Sequence, residues 1–442
     1  MTGSDARDIS GTRLAPVSAR TWSVVIVLGL VGQLAWTVEN MYLNVFIYNT
    51  ISTSPTVIAS TVAASAIAAT LATMIIGTAS DRARTRRPFI AVGYVLWGIT
   101  TALFGVVRPG GTTTSAVALA VGAIIALDCV MSFFGSGAND AAFNAWVTES
   151  TTRENRGRVD GVLAIMPLMG MLLVFGALDG LTRDGQWLLF FGIVGGLTAL
   201  VGIGSWFTVR DPDNIEAPPA GYFASVVHGL RPSTVRANPR LYVLLVAWAI
   251  VGTSTQVFIP YLIIYVQRYL RIDGYAIVLA SVLTLASVVS VLGGRVIDRV
   301  GKQRAILPSV AIMVVGLVGM VFARGMLPVI GAGIVMMGGF MLSVATLSAS
   351  VRDVTPDDRV GMVQGLRMIA VVLVPMVLGP FIGASVIVGA NETYVDLGVV
   401  KQVPTPWIFA AAAVVAVLVV IPVAALRRYP ADTPAQGELV AR

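Results

Sequence analysis

The chain has 442 residues, 56% hydrophobic and only 12% charged, with a formal net charge of +7 and a mean hydropathy of +0.84. Soluble domains carry about 25% charged residues, so a water-soluble globule is excluded and a chain folded in lipid is indicated. A single cysteine, Cys129, rules out an intramolecular disulfide and a cysteine-built metal site, and a single histidine, His228, rules out a histidine-built one.

A membrane-crossing helix takes about 20 mostly apolar residues. The sequence predicts twelve, at 22–48, 56–79, 88–107, 115–139, 159–182, 186–209, 241–267, 274–294, 305–323, 326–350, 360–388 and 404–426. The residues before 22 are polar and the first run is long and carries Glu39, so no cleavable signal peptide is expected. The longest polar interruption, 210–240, holds "DPDNIEAPPAGY" and "RPSTVRANPR", and its prolines, glycine and mixed charges read as a linker. The predicted organisation is a polar tail (1–21), six helices (22–209), the linker (210–240), six further helices (241–426) and a second polar tail (427–442).

Charge sets the orientation. Of 30 Lys and Arg residues, only Arg108, Arg183, Arg268, Arg271, Arg324 and Lys401 fall on one side of the predicted membrane. The other 24 fall on the side of both termini, which the positive-inside rule places in the cytoplasm. The basic balance therefore reflects topology, and no nucleic-acid partner is implied.

Two stretches repeat. "GTASDRARTRRPFI" (Gly77 to Ile90) and "GGRVIDRVGKQRAIL" (Gly293 to Leu307) each join the second and third runs of a half, with Gly77–Asp81–Arg82 echoed by Gly294–Asp298–Arg299. "TESTTRENRGRVDG" (Thr148 to Gly161) and "RDVTPDDRVGMVQG" (Arg352 to Gly365) echo each other between the fourth and fifth. A duplicated six-helix unit follows. The sequence resembles the major facilitator superfamily, whose signature loop is glycine, three residues, aspartate, arginine or lysine, one residue, glycine, then basic residues. The second copy matches through Gly294, Asp298, Arg299, Gly301, Lys302 and Arg304, while the first departs at Ala83, where the family has glycine. "SDR…RRPFI", "GQLAWTVE" (Gly32 to Glu39) and "ALDCV" (Ala126 to Val130) resemble its sucrose-transporter and glycoside–pentoside–hexuronide branch.

The resemblance implies an all-α membrane protein of twelve transmembrane helices in two pseudo-symmetric six-helix bundles. It also implies that Asp81 docks near Pro356–Gly361 and Asp298 near Glu154–Gly157 when the cytoplasmic side is shut. The positive-inside rule accounts for Arg84, Arg86 and Arg87, but not for an aspartate at the same offset twice.

Among the acids, Glu39 in the first run and Asp128 in the fourth lie deep, and a carboxyl held in apolar surroundings can load and release a proton. Asp128, Ser132, Gly135 and Asn139 share one helical stripe; Gln33, Thr37, Asn40 and Asn44 share another, with Glu39, Tyr42 and Asn49 on a second face of the same helix. Asp140 is at least as readily structural, and Asp160 and Asp179 are expected to be solvated at helix ends. Arg367, about 10 Å inside its helix, either snorkels or balances a cavity carboxylate. If the family fold holds, helices one, four, seven and ten line a cavity through Asn40, Asn44, Asn139, Asn144, Gln256, Tyr261, Tyr265, Ser343 and Thr346, with Trp36 stacking on a sugar face. In "FGIVGGLTALVG" (Phe191 to Gly202), Gly192 and Gly196 have small-xxx-small spacing and are expected at a close helix contact.

The expected function is a secondary active transporter, proton-coupled, moving a small polar solute such as a sugar or glycoside. Sodium coupling, or proton-driven efflux of amphipathic compounds, are the alternatives. "LGPFIG" (Leu378 to Gly383) resembles the antiporter motif but sits in the eleventh helix, where the family keeps it in the fifth. No Gly-Lys-Ser/Thr phosphate loop is present, so an ATPase is excluded and no enzyme is indicated. No cofactor or metal is expected. The expected setting is the plasma membrane, as a monomer with both termini cytoplasmic.

Overall fold

The computed structural model describes residues 17–152, 155–211, 228–355, 360–396, 399–426 and 428. Among them twelve helices are long and apolar enough to cross a membrane: α1 (Ala19–Thr50), α2 (Pro55–Ala83), α3 (Arg87–Val106), α4 (Thr114–Glu149), α5 (Arg158–Arg183), α6 (Trp187–Thr208), α7 (Pro239–Tyr269), α8 (Tyr275–Gly294), α9 (Lys302–Phe322), α10 (Met326–Asp353), α11 (Met362–Ala390) and α12 (Trp407–Leu426). The helix of α8 continues to Val300. Local chemistry starts several of them. Ser18 Oγ accepts from the Thr21 amide and Thr113 Oγ1 from the Ala116 amide, while Pro55 and Pro239 occupy first turns, where a missing N–H costs nothing.

Two kinds of apolar surface result. Leu119, Phe322 and Leu327 are at least three-quarters exposed on the outside, the arrangement lipid requires. Inside the first half, Phe191 packs edge-on against Phe46, Phe104 and Phe190 with ring centroids 5.2–5.5 Å apart, geometry that aromatic quadrupoles favour. The close helix contact in the glycine-rich run lies one residue away from the expected spacing. Gly192 and Gly196 have no neighbour within 4 Å of a would-be Cβ, whereas a Cβ on Gly195 would sit 2.6 Å from the Ala102 amide and one on Gly202 2.6 Å from that of Val95. The face is chosen by where α3 lies, and one residue is about 100° of rotation.

The 2–3 loop corrects the alignment of the repeat. Counted from the aspartates, the counterpart of Gly301 is Arg84, not Ala83. Both positions take positive φ, +50° at Arg84 and +94° at Gly301. The two helices end differently all the same: Arg84 is left-handed at ψ 40°, at a cost of about 1–2 kcal/mol, whereas Gly301 has ψ 133°.

Several helices contain a π-helical turn, including Val38–Leu43 in α1, Ser136–Phe143 in α4 and Val174–Leu178 in α5. Each re-aims the residues that follow. One short antiparallel hairpin, β1 (Thr393–Asp396) and β2 (Val399–Gln402), joins α11 to α12 with Tyr394 opposite Lys401, an element the helical expectation lacks.

Candidate transport cavity

A cavity of about 820 Å³ runs from mid-membrane, at Trp36, Glu39 and Ser65, to the face that carries the basic 2–3 loop, at Asp81, Arg86 and Glu149. Its walls are α1, α2, α4 and α11. Of the residues singled out by sequence, Trp36, Glu39, Asn40, Asn144, Arg367, Gly77 and Asp81 line it.

The others have different positions. Asn44 is buried and donates to the Asn40 carbonyl at 2.9 Å. Asn139 sits behind the wall, accepting from Tyr94 Oη at 2.8 Å in space that Gly32 leaves open, since a Cβ there would lie 2.8 Å from Asn139 Oδ1. The candidates on α7 and α10 do not line it either. Gln256 packs against Gly379, and Tyr265 stacks on Tyr269 with centroids 5.3 Å apart. Tyr261 Oη lies 2.9 Å from the Pro380 carbonyl, and Ser343 and Thr346 donate to carbonyls of their own helix at 2.7 and 2.8 Å. The α1 polar face that meets the cavity is the one with Glu39 and Asn40 adjacent, which the π turn at Val38 makes possible.

Glu39 lines the inner end of the cavity, and Asp128 is buried outside its lining. Ser132 Oγ donates to Glu39 Oε1 at 2.6 Å, while Glu39 Oε2 is buried with no hydrogen-bond partner. Asp128, one turn before Ser132 on α4, is 1% exposed. Its Oδ1 has no partner, and Ser65, a cavity-lining residue, donates to the Val62 carbonyl at 3.1 Å. Asp140, which sequence left as readily structural, lines the cavity and accepts from Ser136 Oγ and Asn139 Nδ2, both at 3.0 Å. Simple 3.6-residue periodicity left its role open, since the π turn at Ser136 shifts the α4 face. Among the described residues none of these acids has a basic partner within 4.0 Å.

Arg367 faces the same space. Its guanidinium carbon lies 5.0 Å from the centre of the Trp248 ring, and among the described residues no carboxylate lies within 4.0 Å of it. The ion pair weighed from sequence is therefore replaced by a cation–π contact.

At the mouth, Arg86 is not a loose topological cation. It is 2% exposed, and its Nη2 lies 2.6 Å from both Asp81 Oδ1 and Glu149 Oε1, with Nε to Glu149 Oε2 at 3.1 Å and Nη1 to Ser80 Oγ at 2.6 Å. Burial works against its charge, yet Glu149 and Asp81 outweigh burial and hold the guanidinium above its ordinary pKa. Glu149 carried no sequence signal beyond lying at a helix end. Asp211 accepts from Thr85 Oγ1 at 2.5 Å and from the Arg86 and Arg87 amides at 2.6 and 3.0 Å, capping α3 across the loop. The second half has a partial counterpart in Lys302, which pairs with Asp353 at 2.8 Å. Arg82 is exposed, and Gly294 has open space around it. The Asp298 and Arg299 side chains, and the docking positions at Pro356–Arg359 and Glu154, lie outside the described residues.

The opposite face joins the halves instead. Asp179 on α5, expected at a solvated helix end, is 1% exposed. It accepts from Tyr42 of α1 at 3.0 Å and from Tyr275 of α8, with Arg183 Nε 3.1 Å from its other oxygen. Tyr48 donates to the Gln402 carbonyl at 2.5 Å, Arg268 to Asn49 Oδ1 at 3.3 Å, and Tyr261 Oη lies 3.1 Å from the Pro55 carbonyl. Among the described residues the ion pairs of the basic face stay within one half.

Twelve apolar helices around a polar cavity that reaches one face define a membrane transporter of solutes, not an enzyme. The family model described as Major Facilitator Superfamily matches residues 25–370 and 294–441, and the chain belongs to that superfamily. No curated protein matches. Solved structures with the same fold include the nucleoside transporter NupG, with a TM-score of 0.67 and 14% identity over 93% of this chain and 99% of that one. A bacterial homolog of the human lysosomal transporter Spinster, inward-facing and unoccupied, gives 0.63 and 16% over 92% and 96%. The xylose transporter XylE from E. coli, partially occluded and inward open, gives 0.61 and 16% over 93% and 98%.

Proposed function

We propose that the protein is a proton-coupled secondary transporter that moves a small polar solute, a sugar or glycoside, by alternating access. The observation that carries this reading is the pair Glu39 and Asp128. Each is buried and each keeps one oxygen without a partner, and Ser132, one turn beyond Asp128 on α4, donates to Glu39 at 2.6 Å. An unpaired intramembrane carboxyl is costly unless it exchanges a proton. Glu39 itself lines the cavity, so a proton taken from cavity water reaches it directly. Trp36, Asn40 and Asn144 offer an aromatic face and amides to a hydroxylated solute. The neighbours named as xylose and nucleoside transporters favour such a cargo. The basic face is taken as cytoplasmic, in the plasma membrane, with a monomer as the working unit. Bundles at 22–209 and 241–426 would rock about the cavity, with Gly77, Asp81, Arg82 and their echoes Gly294, Asp298, Arg299 and Gly301 as gating loops.

Proteoliposomes test it. An imposed proton gradient should drive solute accumulation and an equal sodium gradient should not. Asp128→Asn should abolish accumulation while sparing solute exchange. Unchanged proton-driven accumulation in that variant removes Asp128 from coupling, and accumulation with sodium alone replaces the ion.

A further inference from the structure

We propose that the transported solute carries a short apolar group, and that this group sits in a methionine-lined compartment meeting the polar cavity at Asn40. The proposal rests on the solute-transport reading above and specifies its substrate class as a polar head with a small alkyl substituent.

The compartment has a volume of about 110 Å³ and includes Met41, Met171, Met320, Met336 and Met337; Asn40 is its one polar lining residue. Three observations set it apart from an ordinary packing fault. It lies between the halves, with α1 and α5 on one side and α7 to α10 on the other. Asn40 lines both spaces, so the apolar compartment adjoins the larger cavity that holds Glu39 and Asp140. Asn40 Nδ2 is already committed to the Trp36 carbonyl at 2.8 Å, so its amide N–H is not left unpaired beside the apolar compartment.

The chemistry of the lining selects the occupant. Water needs two to four polar partners, and a void without them stays dry and takes up apolar molecules. An empty apolar void forfeits dispersion contacts, so an occupant gains both these and the hydrophobic transfer. Methionine side chains are unbranched and polarizable and adapt to varied apolar shapes. A liquid water takes about 30 Å³, so the volume suits a group of about four carbons. A head group beside Glu39 and Asp140 would direct such a tail past Asn40.

Tethering reads this without requiring transport. The sole cysteine is removed by Cys129→Ser, Asn40→Cys is introduced, and the purified protein reacts with methyl, butyl and hexyl methanethiosulfonates, each rate divided by that of a free thiol in the same micelles. The expected rate rises about fourfold per methylene, the factor equivalent to about 0.8 kcal/mol per buried CH₂, and levels off after butyl. Val278→Phe, which fills the compartment from α8, should flatten the series, and Val266→Phe should do so from α7; thermal unfolding confirms that each variant is folded. A flat series in the unfilled protein overturns the proposal, as does a rise that survives filling by a folded variant. Failure of the transport reading appears separately, as absent gradient-driven accumulation in proteoliposomes.

Discussion

Tyr275→Phe removes one hydroxyl and nothing else, yet that hydroxyl ties α8 to Asp179 on α5 at the face opposite the basic loops. Asp179 is 1% exposed, so water does not replace the lost donor. A hydrogen bond to a charged acceptor is worth about 1.5–3 kcal/mol net. Asp179 retains Tyr42 at 3.0 Å and Arg183 at 3.1 Å, which places the loss near the lower end, about 1.5 kcal/mol. Because α5 and α8 belong to different halves, the bond exists only while that face is shut. Its removal should shift the equilibrium toward opening there by about tenfold. The assay is the side-specific reaction of Asn40→Cys, in a Cys129→Ser background, with a membrane-impermeant thiol reagent. Reaction from the face opposite the basic loops should rise about tenfold in Tyr275→Phe. Tyr42→Phe is the control, since it removes the other donor to the same oxygen but from α1, within the same half as Asp179. An unchanged rate in Tyr275→Phe, or an equal rise in both variants, refutes the reasoning.

At the cavity mouth, Arg86→Met should destabilise the protein by about 2–3 kcal/mol by thermal unfolding, below the 3–5 kcal/mol of a fully buried pair because Asp81 and Glu149 are 21% and 22% exposed. Combined with Glu149→Gln it should be non-additive, and additivity within about 0.5 kcal/mol would separate the two residues. Arg84→Gly relieves the left-handed turn at φ +50° and should raise stability by about 0.5–1 kcal/mol after the glycine entropy cost, read as a higher melting temperature. Asp211→Ala uncaps α3 and should cost about 1 kcal/mol in the same measurement, with Asp211→Asn recovering most of it.

Periodicity made some of the site legible. Glu39 and Asp128 stood out as acids within long apolar runs, a signal that depends only on the cost of charge in lipid. The same logic left Asp140 at least as readily structural, because it takes no account of the π turn that carries it on the cavity wall. It misjudged Asp179 because helix-end position says nothing about which tyrosines a neighbouring helix brings. Arg86 read as one of several loop arginines, and only its burial between Asp81 and Glu149 distinguishes it from Arg84. The α7 and α10 candidates followed from the family's general pattern; here the Tyr261, Ser343 and Thr346 hydroxyls are spent on carbonyls, while that of Tyr265 is buried without a partner.

By itself the sequence determined the twelve helices, the internal repeat and the membrane setting, since backbone hydrogen bonding in lipid permits only helices or closed barrels and the apolar runs have helix length. Tertiary structure alone decided which polar faces meet the cavity, that α3 uses Gly195 and Gly202 as its close approach, and that Asp179 and Tyr275 join the two halves. Helix formation is local and shows in each run separately. Rotation about each helix axis is set by packing against neighbours distant in sequence, and a shift of one residue turns a side chain from the cavity to the core.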